Sequence, residues 1–383
     1  MSVTIPAGFE ASGVAAGLKA SGKPDLALVV NRGPLQSAAV VFTGNRAKAN
    51  PILWSQQVAS DGVVSAIVLN SGGANCFTGP QGFQTTHATA EAVAAGLGTS
   101  AGDVLVCSTG LIGEQLDRAR LLAGVAAAVA ALNPDGGADA AVAIMTTDTV
   151  PKTATHAGAG WSIGAIAKGA GMLAPGLATM LVVITTDAVL TAEQLDTALR
   201  AATRVSFDRL DSDGCMSTND QVTLLASGAS AVQPDPVEFQ RALTAVCANL
   251  AEQLQADAEG ASHDIRIEVV GAVSEADAVE VGRSVARNNL FKTAIFGNDP
   301  NWGRVLAAIG TTSAEFDPYR VDVSMNGVRV CHDGAPDQPR ERVDLHPRAV
   351  TVLIDLRVGA EQAIILTNDL THDYVHENSA YAS

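Results

Sequence analysis

The sequence predicts a mixed α/β protein with a strand-rich C-terminal quarter. Two observations carry the prediction. Short apolar runs bounded by polar turns recur along the chain, and between them lie windows of small apolar residues at three- and four-residue spacing. With 383 residues, 47% hydrophobic and only 4% aromatic, the core must be built from Ala, Val, Leu and Ile, whose small side chains let helices approach sheets closely.

Taken in order, "DLALVV", "AAVVF", "SAIVLN" and "DVLVCS" read as strands. Two helical windows, "TTHATAEAVAAGLG" and "ARLLAGVAAAVAAL", lie beside them, and the second stops at the breaker "NPDGG", read as a surface loop. The stretch "KGAGMLAPGLATM" reads as a helix-forming patch running into the buried strand "LVVITTDA". A helix follows at "TAEQLDTALRAA", where Thr191 and Gln194 have capping-box spacing. Beyond it "VTLLAS", "IRIEVVGAV", "KTAIF", "RVDVSM", "AVTVLIDL" and "AIILT" read as strands, with helices at about 236–258 and 275–288. No 20–50-residue repeat and no low-complexity linker divides the chain, so the halves are expected to share an interface.

Charge and targeting signals exclude whole classes of function. A formal charge of -16 repels nucleic-acid phosphates and anionic membrane surfaces. A carboxylate ligand would therefore need local cations. No basic-then-apolar leader and no apolar run of about 20 residues occurs, so the expected location is cytoplasmic. Five dispersed cysteines without a CxxC pair predict free, mostly buried thiols.

Three tempting signals fail on chemistry. The Gly-x-Gly at Gly158 follows no clean strand and lacks the acidic partner of a dinucleotide fold. "DSDG" from Asp211 has Val222 where a calcium loop needs a bidentate carboxylate. His372 and His376 share a helical spacing, but no third ligand completes a zinc site, and they read as a solvated tail. No metal or bound cofactor is expected.

More informative are the polar, glycine-rich patches "NSGGAN", "CSTGLIG", "IMTTDTVPK", "AKGAGM", "DAEG" and "NDPNWGR", each at the end of an apolar run or helix. Together they suggest the rim of a pocket. In "STGLIG", consecutive N–H groups at Thr109 and Gly110 could face a developing oxyanion. Thr179 lies between Ala178 and Met180 at the mouth of a strand. A Thr hydroxyl becomes a competent nucleophile when the residue heads a chain, because its own α-amine, with a pKa of about 7.7–8.0, then serves as base. An internal Thr reaches that state only by cleavage of the bond before it.

These segments, with the terminal "ENSAYAS", resemble the ornithine acetyltransferase (glutamate N-acetyltransferase) family of arginine biosynthesis, and the resemblance runs nearly end to end. It implies a mixed α/β body of stacked sheets flanked by helices, an N-terminal-nucleophile-like acyltransferase that cuts itself between Ala178 and Thr179, giving chains 1–178 and 179–383 that assemble as α2β2 or larger. By motif, Thr179 is implied as the nucleophile and Thr109 with Gly110 as the oxyanion hole. Thr146 or its neighbour Thr147, Lys168, Thr179, Glu259, Asn378 and Ser383 are implied as substrate-binding residues. The implied reaction is ping-pong transfer of acetyl from N2-acetylornithine to glutamate, with acetyl-CoA as a candidate second donor. The alternative on a related scaffold is a self-processing amidase or aminopeptidase.

Overall fold

The computed structural model describes residues 2–174 and 180–380. Ala178, Thr179 and Ser383 therefore lie outside the described residues. The chain divides into two compact units, the first made of Met1–Ala170, Gly176–Phe207 and Met216–Leu254, the second of Gly171–Pro175, Asp208–Cys215 and Gln255–Ser383.

The first unit holds nine strands among its described residues: β1 (Phe9–Val14), β2 (Leu26–Asn31), β3 (Ser37–Phe42), β4 (Ala66–Asn70), β5 (Val104–Ser108), β6 (Lys152–Ala157), β7 (Ser162–Lys168), β8 (Leu181–Thr186) and β9 (Gln221–Ala226). They form a four-stranded sheet in the order β1-β2-β4-β5 and a five-stranded sheet in the order β3-β9-β8-β7-β6. Strand β2 shows why these residues choose this arrangement. Its side chains alternate between faces, so that Ala27 and Val29 enter a core shared with Ile166, Leu181 and Val183 of the second sheet. Leu26, Leu28 and Val30 meet Val93 and Leu121 of the helices Gly79–Leu97 and Arg118–Ala130. The two sheets thus stack, with helices outside.

The second unit carries β10 (Asp264–Ala272), β11 (Asp322–Met325), β12 (Val328–His332), β13 (Ala335–Pro336), β14 (Ala349–Asp355) and β15 (Glu361–Asn368), in the order β13-β12-β11-β14-β10-β15. One face is buried: Ile265, Ile267 and Val269 alternate inward against Val281, Val285, Phe291 and Ile295.

Mixed α/β layering is what the sequence predicts, and the Thr191–Gln194 capping box closes in both directions. Three local readings are corrected. "KTAIF" is part of a helix, Asn289–Phe296, because the Asn288 side chain caps the Phe291 N–H and Phe291, Ala294 and Ile295 bury one face. In the described part of "KGAGMLAPGLATM" there is no helix: Lys168 ends β7, and Gly169 at φ 154° begins a run of bends. The breaker at 133–137 is a loop only as far as Gly136, since Gly137–Ala143 is helical with Ala140, Ala141 and Ala143 in the core. His372 and His376 are both exposed, as a solvated segment requires, and lie on the helix His372–Ala380.

Candidate active site

Within the first unit the glycine-rich patches converge. The Asn219 side chain donates to Ala74 O at 2.6 Å and to Ser108 O at 2.8 Å, joining the segment before β9 to "NSGGAN" and "CSTGLIG". Gly73 N–H donates to Thr109 O at 3.0 Å. Gly110 sits at φ 132°, and a Cβ there would lie 2.8 Å from the Gly73 backbone, so only glycine fits.

Lys168 is the last residue of β7, is 1% exposed, and donates from Nζ to Thr109 Oγ1 at 3.1 Å. Such burial of an ammonium needs compensation. Part of it comes from Asp148, whose carboxyl sits 2.6 Å from Lys152 Nζ and accepts the Gly169 N–H at 2.7 Å and the Thr146 N–H at 2.9 Å. Burial pushes Asp148 up, but the charges of Lys168 and Lys152 and the Gly169 N–H outweigh it and hold the carboxyl down at about 2. Asp148 is therefore the anion that keeps two lysines inside the unit. A third lysine, Lys19, reaches the same neighbourhood with Nζ 2.6 Å from Met145 O.

The oxyanion reading is refined by the backbone. Thr109 N–H is already donated to Asn70 O at 3.0 Å, so two consecutive N–H groups are not on offer there. The Thr109 hydroxyl remains: its oxygen accepts from Lys168, leaving the O–H free to donate. Nearby Cys107 is buried, and burial pushes its thiol far above the usual range, which makes it inert. At the start of β9, Asp220 is fully buried and accepts the Met180 N–H at 3.1 Å.

In the second unit Glu259 lies over Gly171: a Cβ at Gly171 would sit 2.5–2.7 Å from the Glu259 carboxyl atoms. The same loop abuts the C-terminal helix. Gly260 is at φ 60° with Tyr374 N only 2.2 Å from where its Cβ would be, and Thr371 Oγ1 donates to Gly260 O at 2.5 Å. Asn378 rides on that helix, exposed, its amide donating to Tyr374 O at 3.0 Å. Burial first, then the Asp213 and Glu259 carboxylates, push the Tyr374 phenol to about 12. Among the described residues, Asp322, His332 and Asp333 could converge on a metal ion, but Arg329 and Arg357 already neutralise Asp322.

The structure thus brings Thr109, Gly110, Thr146 and Lys168 together in one unit and sets Glu259 and Asn378 on adjoining elements of the other. Of the Thr pair, it is Thr146 whose N–H and hydroxyl both meet Asp148. Sequence reasoning missed Asp148, Lys152, Lys19 and Asp220. The first two had a signal, an Asp and a Lys four residues apart inside "MTTDTVPK".

No helix among the described residues is long and apolar enough to cross a membrane. A family model described as the ArgJ family matches residues 10–383. The chain is 64% identical over 383 residues, covering 100% of both chains, to a Streptomyces avermitilis protein named arginine biosynthesis bifunctional protein ArgJ. It is 55% identical to the Mycobacterium leprae protein of that name, covering 100% of this chain and 96% of the other. Among solved structures, ornithine acetyltransferase complexed with ornithine from Mycobacterium tuberculosis is 56% identical, covering 47% of this chain and 96% of that one, with a TM-score of 0.45.

Proposed function

The chain belongs to the ArgJ family, and from that premise we propose that it carries acetyl from N2-acetylornithine to glutamate on the hydroxyl of Thr179, after cutting itself between Ala178 and Thr179. It is an acyltransferase of arginine biosynthesis, combining ornithine acetyltransferase and glutamate N-acetyltransferase activities.

In the proposed reaction the Thr179 hydroxyl attacks the acetyl carbonyl while the α-amine takes its proton. The tetrahedral oxyanion is met by the Thr109 O–H and the Gly110 N–H. Ornithine departs as the C–N bond breaks and the ammonium returns its proton to the leaving nitrogen. Glutamate then reverses the sequence and leaves acetylated. Lys168 has a double use in this reading: one N–H polarises Thr109, and its charge attracts substrate carboxylate in an acidic protein. Thr146 contributes its hydroxyl to the amino-acid site. Glu259 suits the substrate's amino end, while Asn378 and Ser383 close the site. Acetyl-CoA as second donor and an assembly of α2β2 or larger belong to the same proposal.

The single observation that carries the reading is the buried Lys168–Thr109 hydrogen bond at 3.1 Å, which turns a strand-end threonine into a polarised donor. The test is intact mass under denaturing conditions. Incubation with N2-acetylornithine alone should add one acetyl to the fragment beginning at Thr179, and glutamate should remove it. Acetyl on any other fragment, or release of free acetate faster than transfer to glutamate, would overturn the reading, the second outcome in favour of an amidase.

A further inference from the structure

Lys19 stands on the loop between β1 and β2 and takes no part in the proposed reaction, yet contacts from several directions seat that loop on the candidate site. Asp25, fully buried, accepts the N–H groups of Ala16 and Leu18, both at 2.6 Å, and of Lys19 at 2.9 Å, which winds the loop around one carboxylate. Leu18 packs so closely on Gly72 that a Cβ at Gly72 would overlap the Leu18 Cβ. The next residue, Gly73, is the one that bonds Thr109 O and abuts Gly110. From this fixed base the Lys19 side chain crosses to another segment of the site, where Nζ donates to Met145 O at 2.6 Å as well as to Pro24 O at 3.1 Å. Met145 precedes Thr146, whose N–H and hydroxyl meet Asp148.

An ammonium carries three N–H groups. Lys19 spends two of them on carbonyls, and the third has no protein acceptor among the described residues. Its charge is also incompletely matched, because Asp25 turns its oxygens to backbone N–H groups and Asp148 holds Lys152. Burial lowers this ammonium below the ordinary lysine range; Asp25 and Asp148 pull it back up, while Lys168 pushes it further down. Two lysines that repel each other across one neighbourhood, in a chain of net charge -16, suit an incoming anion.

The chemistry of the proposed substrates says which anion. N2-acetylornithine and glutamate differ at the side-chain end, one an ammonium and the other a carboxylate, but they share the α-carboxylate beside the nitrogen that loses or gains acetyl. A site that takes both in turn must hold the shared group in one place. We propose that the third N–H of Lys19 binds the α-carboxylate of both substrates, alongside Lys168. The inference rests on the acetyl-transfer reading and deepens it. Lys19 neither gains nor loses a proton; the contact is a charge-assisted hydrogen bond that fixes the reacting nitrogen through the α-carbon.

The test pairs a change in the protein with a change in the substrate. K19M and K19R are compared with the parent, as full chains, on N2-acetylornithine and on its α-carboxamide, with thermal melting and intact mass alongside; K19Q is the second neutral variant where K19M melts well below the parent. On N2-acetylornithine the neutral variant should raise KM roughly 10-fold or more with kcat little changed, and KM for glutamate should rise by a similar factor. On the carboxamide it should match the parent, since the substrate has already lost the contact. K19R, which keeps a cation, should recover most of the loss, and self-cleavage should be complete in every variant. A parental KM in the neutral variant overturns the inference. So does an equal loss on carboxylate and carboxamide, which would make Lys19 only a brace for Thr146, and so does a loss confined to glutamate, which would move the contact to the side-chain carboxylate. The parent separates this failure from the larger one: if it acquires acetyl on the fragment beginning at Thr179 while the neutral variant keeps parental KM, only the role of Lys19 is lost, whereas a parent that acquires none there sinks the acetyl-transfer reading itself.

Discussion

Lys168 and Leu181 are antiparallel cross-strand partners, Lys168 ending β7 and Leu181 opening β8. The two strands stay paired from there to Ile163 and Thr186, so β7, which precedes the Ala178–Thr179 bond in sequence, and β8, which follows it, belong to one sheet. Cutting that bond removes a connection but none of the ladder. Fragments ending at Ala178 and starting at Thr179 should therefore separate only under denaturing conditions, and native mass measurement should find them together. Dissociation of the fragments at neutral pH without denaturant would contradict this.

The Lys168–Thr109 contact sets a second expectation. Lys168→Met keeps the length of the side chain and removes the charge. Loss of a charge-assisted hydrogen bond of about 1.5–3 kcal/mol corresponds to a fall of roughly 10- to 150-fold in kcat/KM. Thr109→Val should cost a similar factor, and the double variant should cost much less than the product, since both changes break one interaction. Multiplicative losses would show that the two side chains act separately.

Asp148 makes acid stability a readout of the site's scaffold. Its folded-state pKa of about 2 lies below the unfolded value of about 3.9. A depressed carboxylate contributes stability that is fully present above about pH 4 and is lost as pH falls through about 2. The difference corresponds to about 2–3 kcal/mol. Asp148→Asn cannot neutralise Lys152 and Lys168, so it should lower Tm strongly at pH 7. In denaturant titrations from pH 5 to 2, the gap between variant and parent should narrow as the parent's own Asp148 takes up its proton. A gap that stays constant would remove Asp148 from its role as counter-ion.

How much of the fold and the site is legible in the sequence depends on the range over which each signal acts. Continuous apolar runs such as Leu26–Val30 announce strands buried on both faces, and Thr191 with Gln194 announces a helix start, because those signals act within a few residues. "KTAIF" misleads because its β-branched residues favour a strand while the decisive cap, Asn288, stands outside the quoted run. β6 and β7 escape notice because "KTATHA" and "SIGAIAK" have small or polar residues whose place is settled by neighbouring strands. Thr109, Gly110 and Lys168 are found through motif resemblance. Asp148 and Asp220 are not, since a buried carboxylate looks like any surface aspartate until the lysines or the N–H groups that compensate it are seen in space.

Glu259 and Gly171 supply the last expectation, because one residue's shape enforces the other's position. A methyl at Gly171 would fall 2.5–2.7 Å from the Glu259 carboxyl atoms, inside van der Waals contact, so either the side chain or the 171 backbone must move. Gly171 has no positive φ that would itself penalise alanine, so Gly171→Ala acts through this clash alone. Glu259 is half-buried and its side chain can swing, so the fold should tolerate the change with a Tm loss of a few degrees at most. If Glu259 binds the amino end of the substrates, displacing its carboxylate should mimic Glu259→Gln: both variants should raise KM for glutamate and N2-acetylornithine, by roughly 10-fold or more for the loss of a charge-assisted contact. Neither should alter self-cleavage as measured by intact mass, which requires no bound amino acid. The double variant should be no worse than Glu259→Gln, because the methyl then displaces a group already disabled. A Gly171→Ala protein with parental KM would show that the carboxylate's place over Gly171 is not the place from which it binds, and a Glu259→Gln protein with parental KM would take Glu259 out of the substrate site altogether.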